Sequence, residues 1–283
     1  MGFSIKELTY KEKHLLYLTD QKLAGPWFSF KIRGKKVREI PVILKNIEPT
    51  PIYKLINSRK GKFIHRITLD FDVNEYLRDR AKIEPDPSTR HSRIRLYVDI
   101  FSKPKVPFIN TFFTLRNISE YKLINFSMYF IFDFDVNGLD GYDTDMGGFD
   151  EKNNIIFQYD DSGLHAGFST ISKPTNFESS LSKDFKINKN TLDLTNKIYP
   201  NPGERLSALQ IEFKTLVPNH SFQTALSISG GDNKKELIEN IKNGKTQAIK
   251  FLSQVNKSVK SKQRNLQQEA FVKINQQKAE GCN

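Results

Sequence analysis

The 283-residue chain has one cysteine, Cys282, and one tryptophan, Trp27. A single thiol excludes an intrachain disulfide and a cysteine-built zinc site. No apolar run approaches the roughly 18 residues a membrane helix needs, so no membrane insertion by a helix is expected. The opening segment, MGFSIKELTYKEKHLL, is too charged for a secretory signal, and a cytoplasmic location is expected. Hydrophobic residues make up 37% of the chain, which is low, yet 22 Phe and 10 Tyr supply much of the apolar area. Each buried aromatic removes roughly 150–250 Å² from water, so this composition can still build a core.

The formal charge is +12. From Lys234 onward there are 11 Lys plus Arg against 4 Glu, a net of +7, which leaves +5 for the body. A charge this localised argues for a basic tail rather than a body built to bind nucleic acid. Lys257, Lys260, Lys262 and Arg264 lie in that tail, which could give weak, salt-dependent binding to phosphates or an acidic partner. A solvated charged face is the plainer reading. Arg78, Arg80, Arg90, Arg93 and Arg95 flank a proline-rich loop and invite the same two readings.

Strand patterns dominate the first 230 residues. Ile94, Leu96, Val98 and Ile100 alternate with Arg95, Tyr97 and Asp99, and Met128, Phe130, Phe132 and Phe134 share one face of another run. Similar runs cover residues 40–47, 62–73, 108–115, 207–216 and 223–230. Residues 154–159 and 163–171 read as a hairpin turning at Asp160-Asp161-Ser162-Gly163. No helical pattern separates these strands, which predicts an antiparallel sandwich rather than a parallel α/β sheet. After Gly231 the period changes. Asn233 and Glu236 suggest a capping box, with Leu237, Ile241 and Leu252 at helical steps and Gly244 as a break. The expected domains are a β body over 1–231 and a basic helical tail over 232–283.

The stretch Tyr129 to Pro174, with Phe-Asp-Phe-Asp-Val ending a strand, an Asp-, Gly- and Tyr-rich loop, then FDEKNNIIFQYD and GFST, resembles the N-terminal β-supersandwich domain of prokaryotic and archaeal glucoamylase-type glycoside hydrolases. The step SISGGDNKKELIENIKN resembles that domain's exit into a helical linker. The resemblance spans about residues 60–260 and implies a large antiparallel two-sheet supersandwich of galactose-mutarotase-like type. In those hydrolases an (α/α) barrel follows and carries both catalytic carboxylates. Here about 50 residues follow the expected sandwich. The resemblance therefore implies a non-catalytic, carbohydrate-related binding or scaffold module, or a subunit of a separate barrel-bearing chain.

Candidate sites follow from residue chemistry. Asp133, Asp135, Asn137 and Gly138 match the first half of an EF-hand calcium loop, but its twelfth position is Thr144 instead of Glu. Asp140, Asp143 and Asp145 add oxygens, so calcium is the one cofactor considered; the alternative is a long Asp/Gly turn. A paired-carboxylate acid–base site is a further reading. Trp27, Tyr53 and Tyr142, all in expected loops, could stack on sugar rings, with Asp143 and Asp145 beside Tyr142. Burial as a core anchor competes for Trp27. The histidines His14, His65, His91, His165 and His220 show no zinc spacing and no epimerase motif, and His65, beside Arg66, is expected to be exposed. An epimerase or minimal hydrolase using Asp or His groups in the sheet groove remains the enzymatic alternative. The expected partner is a carbohydrate or another protein.

Overall fold

The computed structural model describes residues 7–17, 25–33, 40–44, 53–60, 64–85, 92–138, 141, 143–188 and 190–254, with side chains for all of these except 7, 17, 40–44 and 53–60. Among them the strands are β1 (Glu7–Tyr10), β2 (Lys13–Tyr17), β3 (Gly25–Arg33), β4 (Ile40–Leu44), β5 (Tyr53–Lys60), β6 (Ile64–Asp72), β7 (Arg93–Phe101), β8 (Phe108–Asn117), β9 (Lys122–Asp133), β10 (Met146–Asp150), β11 (Ile155–Tyr159), β12 (His165–Thr170), β13 (Asn176–Leu181), β14 (Lys197–Ile198), β15 (Arg205–Leu216) and β16 (Ser221–Gly231). Helix α1 is Val73–Asp79 and helix α2 covers residues 234–254.

Two large sheets form the body. One runs β10-β11-β12-β16-β8-β7-β6-β5 and the other β14-β13-β15-β9-β3-β4; β1 and β2 pair as a separate hairpin. Every ladder is antiparallel except β13–β14. Aromatic side chains fill the space between the sheets. Phe113 of β8 meets Phe130 of β9 with ring centroids 5.0 Å apart. Phe168 of β12 meets Phe132 of β9 at 4.7 Å. Burying such rings together with the aliphatic residues around them is the dominant favourable term.

The expected two-sheet antiparallel body is present, and several local expectations are corrected. Trp27 and Tyr53 are on strands, not in loops: Trp27 lies in β3 and Tyr53 opens β5. Pro26 is tolerated because pairing with β4 begins only at Phe28, so the missing N–H costs no ladder bond there. His65 shares the inward parity of Ile67, Leu69 and Phe71 and is half-buried. Helix α1 interrupts the run of strands, capped by Asp72, whose carboxylate accepts from the N–H groups of Asn74 and Glu75, both at 3.0 Å.

Helix α2 is continuous through Gly244. Asn233 caps it, its Oδ1 accepting from Glu236 N at 3.0 Å, while Glu236 Oε2 reaches back to Asp232 N at 2.8 Å. The compact units of the chain are Met1–Lys245 and Thr246–Asn283, so the first turns of α2 belong with the sandwich. Residue 231 marks the change from strand to helix; compactness divides within the helix.

Candidate functional site

The face of the eight-stranded sheet that points away from its partner sheet is divided in two. On one half, Ile155 and Phe157 of β11 form an apolar cluster with Leu237 and Ile241 of α2. Gly167 of β12 makes room, since a Cβ there would lie 3.2 Å from Leu237 Cδ2. The helix comes close again at Gly244, where a Cβ would meet Ser227 Oγ at 3.0 Å and the Phe108 ring at 3.1 Å. That close approach is the reason for a glycine in mid-helix. The Gly244 carbonyl accepts from Asn110 Nδ2 at 3.1 Å, and Lys245 Nζ donates to Asn153 O at 3.1 Å and Ser169 Oγ at 2.9 Å. Burial pushes the Lys245 ammonium below the ordinary lysine value. His165 and Tyr159 stack at the margin of this half, 5.1 Å apart; burial lowers the His165 pKa.

The other half, over β6, β7 and β8, is polar. The register sets Arg66 opposite Asp99, Thr68 opposite Tyr97, and Asp70 opposite Arg95. Arg66 grips Asp99 with two hydrogen bonds of 2.5 and 2.6 Å, and Arg95 grips Asp70 with two of 2.6 and 2.7 Å. Arg93 adds a third cation 3.8 Å from Asp70. The half-exposed ring of Tyr97 lies between these forks. Thr114 and the exposed Arg116 extend the surface on β8, and Gln223 of β16 donates to Thr114 Oγ1 at 3.2 Å. Fixed carboxylate acceptors, guanidinium donors and one ring form a set that can hold adjacent hydroxyl groups over an aromatic platform.

None of the sequence-predicted carbohydrate-site or metal-site residues whose side chains are described lies on this surface. Trp27 is 4% exposed, covered on the outside of the six-stranded sheet by the segment after β13, with Phe185 edge-on at 6.2 Å. It therefore offers no open ring face. The Tyr53 side chain, Tyr142 and Asp140 lie outside the described residues, as do Lys257, Lys260, Lys262 and Arg264. Asp143 is exposed, whereas Asp145 and Asp133 are each 1% exposed.

Neither Asp133 oxygen has a hydrogen-bond partner, and Asp145 uses only Oδ2, on Val136 N at 3.4 Å. Burial, reinforced by the charges of Asp135 and Glu204, pushes Asp133 up to about 8. Burial likewise raises Asp145 to about 9, with Asp135, Asp160 and Asp133 adding to it. Both are therefore protonated near neutrality and closed to a substrate. Asp135, Val136, Asn137 and Gly138 form a turn, with Gly138 N donating to Asp135 O at 2.9 Å and Asn137 N to His14 O at 3.0 Å. Among the described residues no three His, Cys, Asp or Glu side chains gather as metal ligands. The described part of the expected calcium loop therefore does not converge on one point.

Nearby, Arg205 is fully buried and spends its guanidinium on the carbonyls of Asp145, Ser179 and Asn201 and on Ser179 Oγ; burial lowers its pKa.

No family model and no curated protein sequence matches this chain. Solved structures do. A bacterial glucoamylase complexed with acarbose matches with a TM-score of 0.52 at 10% identity, over 85% of this chain and 31% of that one. A polysaccharide lyase matches at 0.47 and 10% identity, over 83% and 31%. An aldose epimerase homologue of C. elegans matches at 0.43 and 8% identity, over 81% and 92%. This chain thus spans less than a third of the glucoamylase it is similar to. No helix among the described residues is long and apolar enough to cross a membrane. The fold is a mainly β antiparallel sandwich, similar over most of this chain to part of the glucoamylase, and carries a helix after its last strand.

Proposed function

We propose that this chain is a non-catalytic carbohydrate-binding or scaffold module, and that it holds sugar on the open half of the eight-stranded sheet around Tyr97. The observation that carries this reading is the pair of bidentate forks, Arg66–Asp99 and Arg95–Asp70, held in register on either side of that ring. Such pre-set polar groups can bind hydroxyls with little further ordering cost. The likeness to a glucoamylase that binds acarbose supports a saccharide over other ligands. The covering of the neighbouring half by α2, and the burial of Asp133 and Asp145, favour binding over chemistry. The basic tail would then serve partner docking or retention.

The test is calorimetric titration of the full chain with maltoheptaose and a panel of other oligosaccharides, beside reducing-sugar release and polarimetric anomer exchange. Saturable binding that falls at least tenfold in Tyr97→Ala, with no release or exchange above background, is expected. Anomer exchange or hydrolysis that tracks protein concentration would replace this reading with the enzymatic one. Binding of RNA instead, lost at moderate salt, would move the function to the tail.

A further inference from the structure

The hairpin β1–β2 leaves a cleft of about 530 Å³ where it crosses the end of the sandwich against β8 and β16. The hairpin itself is seated tightly: at Gly230 an added Cβ would lie 2.7 Å from Leu15 Cδ1 and 2.8 Å from Tyr10 Cβ. Beside that seat the packing opens. Ile109 and Ile228 are paired across β8 and β16 on the inward face; Ile228 is 1% exposed, yet Ile109 stays half-exposed on the cleft wall. An inward-facing isoleucine with solvent on it marks a gap in the core wall, and the volume lies within the usual range for small-ligand sites of roughly 300–1,000 Å³.

The polar groups around the cleft are mostly committed. The Tyr10 hydroxyl donates to Glu236 Oε1 at 2.8 Å. Lys11 Nζ is held by Asp232 Oδ2 at 2.7 Å and Glu236 Oε1 at 3.0 Å. Ser229 Oγ donates to the carbonyl of Pro107. These groups offer little to a sugar. Lys105, in the turn between β7 and β8, differs: it is exposed, lines the same cleft, and has no ion-pair partner among the described residues. Its backbone is left-handed (φ 66°). Among the described residues the cleft is thus a largely apolar slot with Lys105 as the uncommitted positive charge at its mouth.

We propose that this cleft binds a small amphiphilic carboxylate, its hydrocarbon body against Leu15, Ile109 and Ile228 and its anionic head on Lys105. This site is separate from the sheet face around Tyr97 and does not depend on it. Burial of the apolar body supplies most of the affinity, and the single ion pair selects the head group.

Calorimetric titration of the full chain with decanoate, below its micelle concentration, tests this against 1-decanol and maltotetraose. One decanoate per chain is expected, with decanol about tenfold weaker, the equivalent of one partly desolvated ion pair of ~1.4 kcal/mol. Lys105→Glu should erase the preference for decanoate, and Lys105→Arg should keep it. Ile109→Trp should block binding with the melting temperature unchanged. Should that variant unfold, Val106→Trp at the half-exposed rim makes the same test. Absence of saturable decanoate binding overturns the proposal, as does equal affinity for decanol or affinity unchanged in the tryptophan variants. Maltotetraose heat that persists in Lys105→Glu reports on the sheet face alone, so the two readings fail separately.

Discussion

The two halves of the outer face of the eight-stranded sheet are built from the same ladders and end in opposite surfaces. Over β11 and β12 the outward positions are Ile155, Phe157 and Gly167, and the chain's own helix covers them. Over β6 and β7 the outward positions include Arg66, Asp70, Arg95, Tyr97 and Asp99; Asp70 is buried under its arginines, and the other four stay at least partly exposed. The difference teaches that a sheet face need not be closed or open as a whole; outward residue type, strand by strand, decides which part another element can cover. It also separates two treatments of carboxylates. Those on the open half are each gripped by an arginine, whereas no guanidinium bonds the carboxyl of Asp133 or Asp145 in the interior, where Arg205 is spent on main-chain carbonyls, and burial keeps both protonated.

The largest expected effect sharpens that second contrast. A carboxyl whose folded pKa lies above its unfolded value binds its proton more tightly when folded. Its stabilising effect is full below about pH 4 and is lost as pH rises through about 8 for Asp133 and about 9 for Asp145. Urea denaturation from pH 4 to 9 should therefore show falling stability, and Asp133→Asn with Asp145→Asn should flatten the curve. A wild-type curve already flat across that range refutes the assignment.

Next, Leu237→Ala strips the covered half of its contact and should cost roughly 2–5 kcal/mol, read from the denaturation midpoint. Gly244→Val forces the helix off Ser227 and Phe108 and should cost roughly 1–3 kcal/mol by the same measurement. Arg95→Ala leaves Asp70, whose side chain is 6% exposed, without its main partner and should cost about 1–2 kcal/mol. Arg66→Ala, at a side chain 58% exposed, should cost under about 1 kcal/mol. Equal losses for the two arginine variants would break the distinction between them.

Much of the body was legible in the sequence, because β7, β9 and β16 alternate or carry long aromatic runs. β3 was not, for a physical reason: it is buried on both faces, so GPWFSF shows no period, and Gly25-Pro26 reads as punctuation. β10 hid behind Gly147 and Gly148. Those glycines are required because a Cβ at Gly148 would lie 2.2 Å from the Phe157 ring and one at Gly147 2.3 Å from Ser179 Oγ. The helix cap at Asn233 was readable, but its landing on β11 was not, since that depends on contacts 80 residues apart in sequence. Likewise the alternating charges of β6 and β7 were visible, while their pairing needed the register. The aromatic Trp27 misled because its covering segment after β13 carries no periodic signal.

The clasp at the end of the hairpin has a consequence for how the chain is completed. Tyr10 and Lys11 hold Glu236, and Asn240 Nδ2 returns to Tyr10 Oη at 3.3 Å, joining positions more than 220 residues apart. On a ribosome the β1–β2 hairpin is made long before its partners exist, so one end of the aromatic interior stays unlatched until the start of α2 has emerged. Closing that end requires contacts of high sequence separation, which form slowly, and until they form the aromatic side chains there stay open to aggregation.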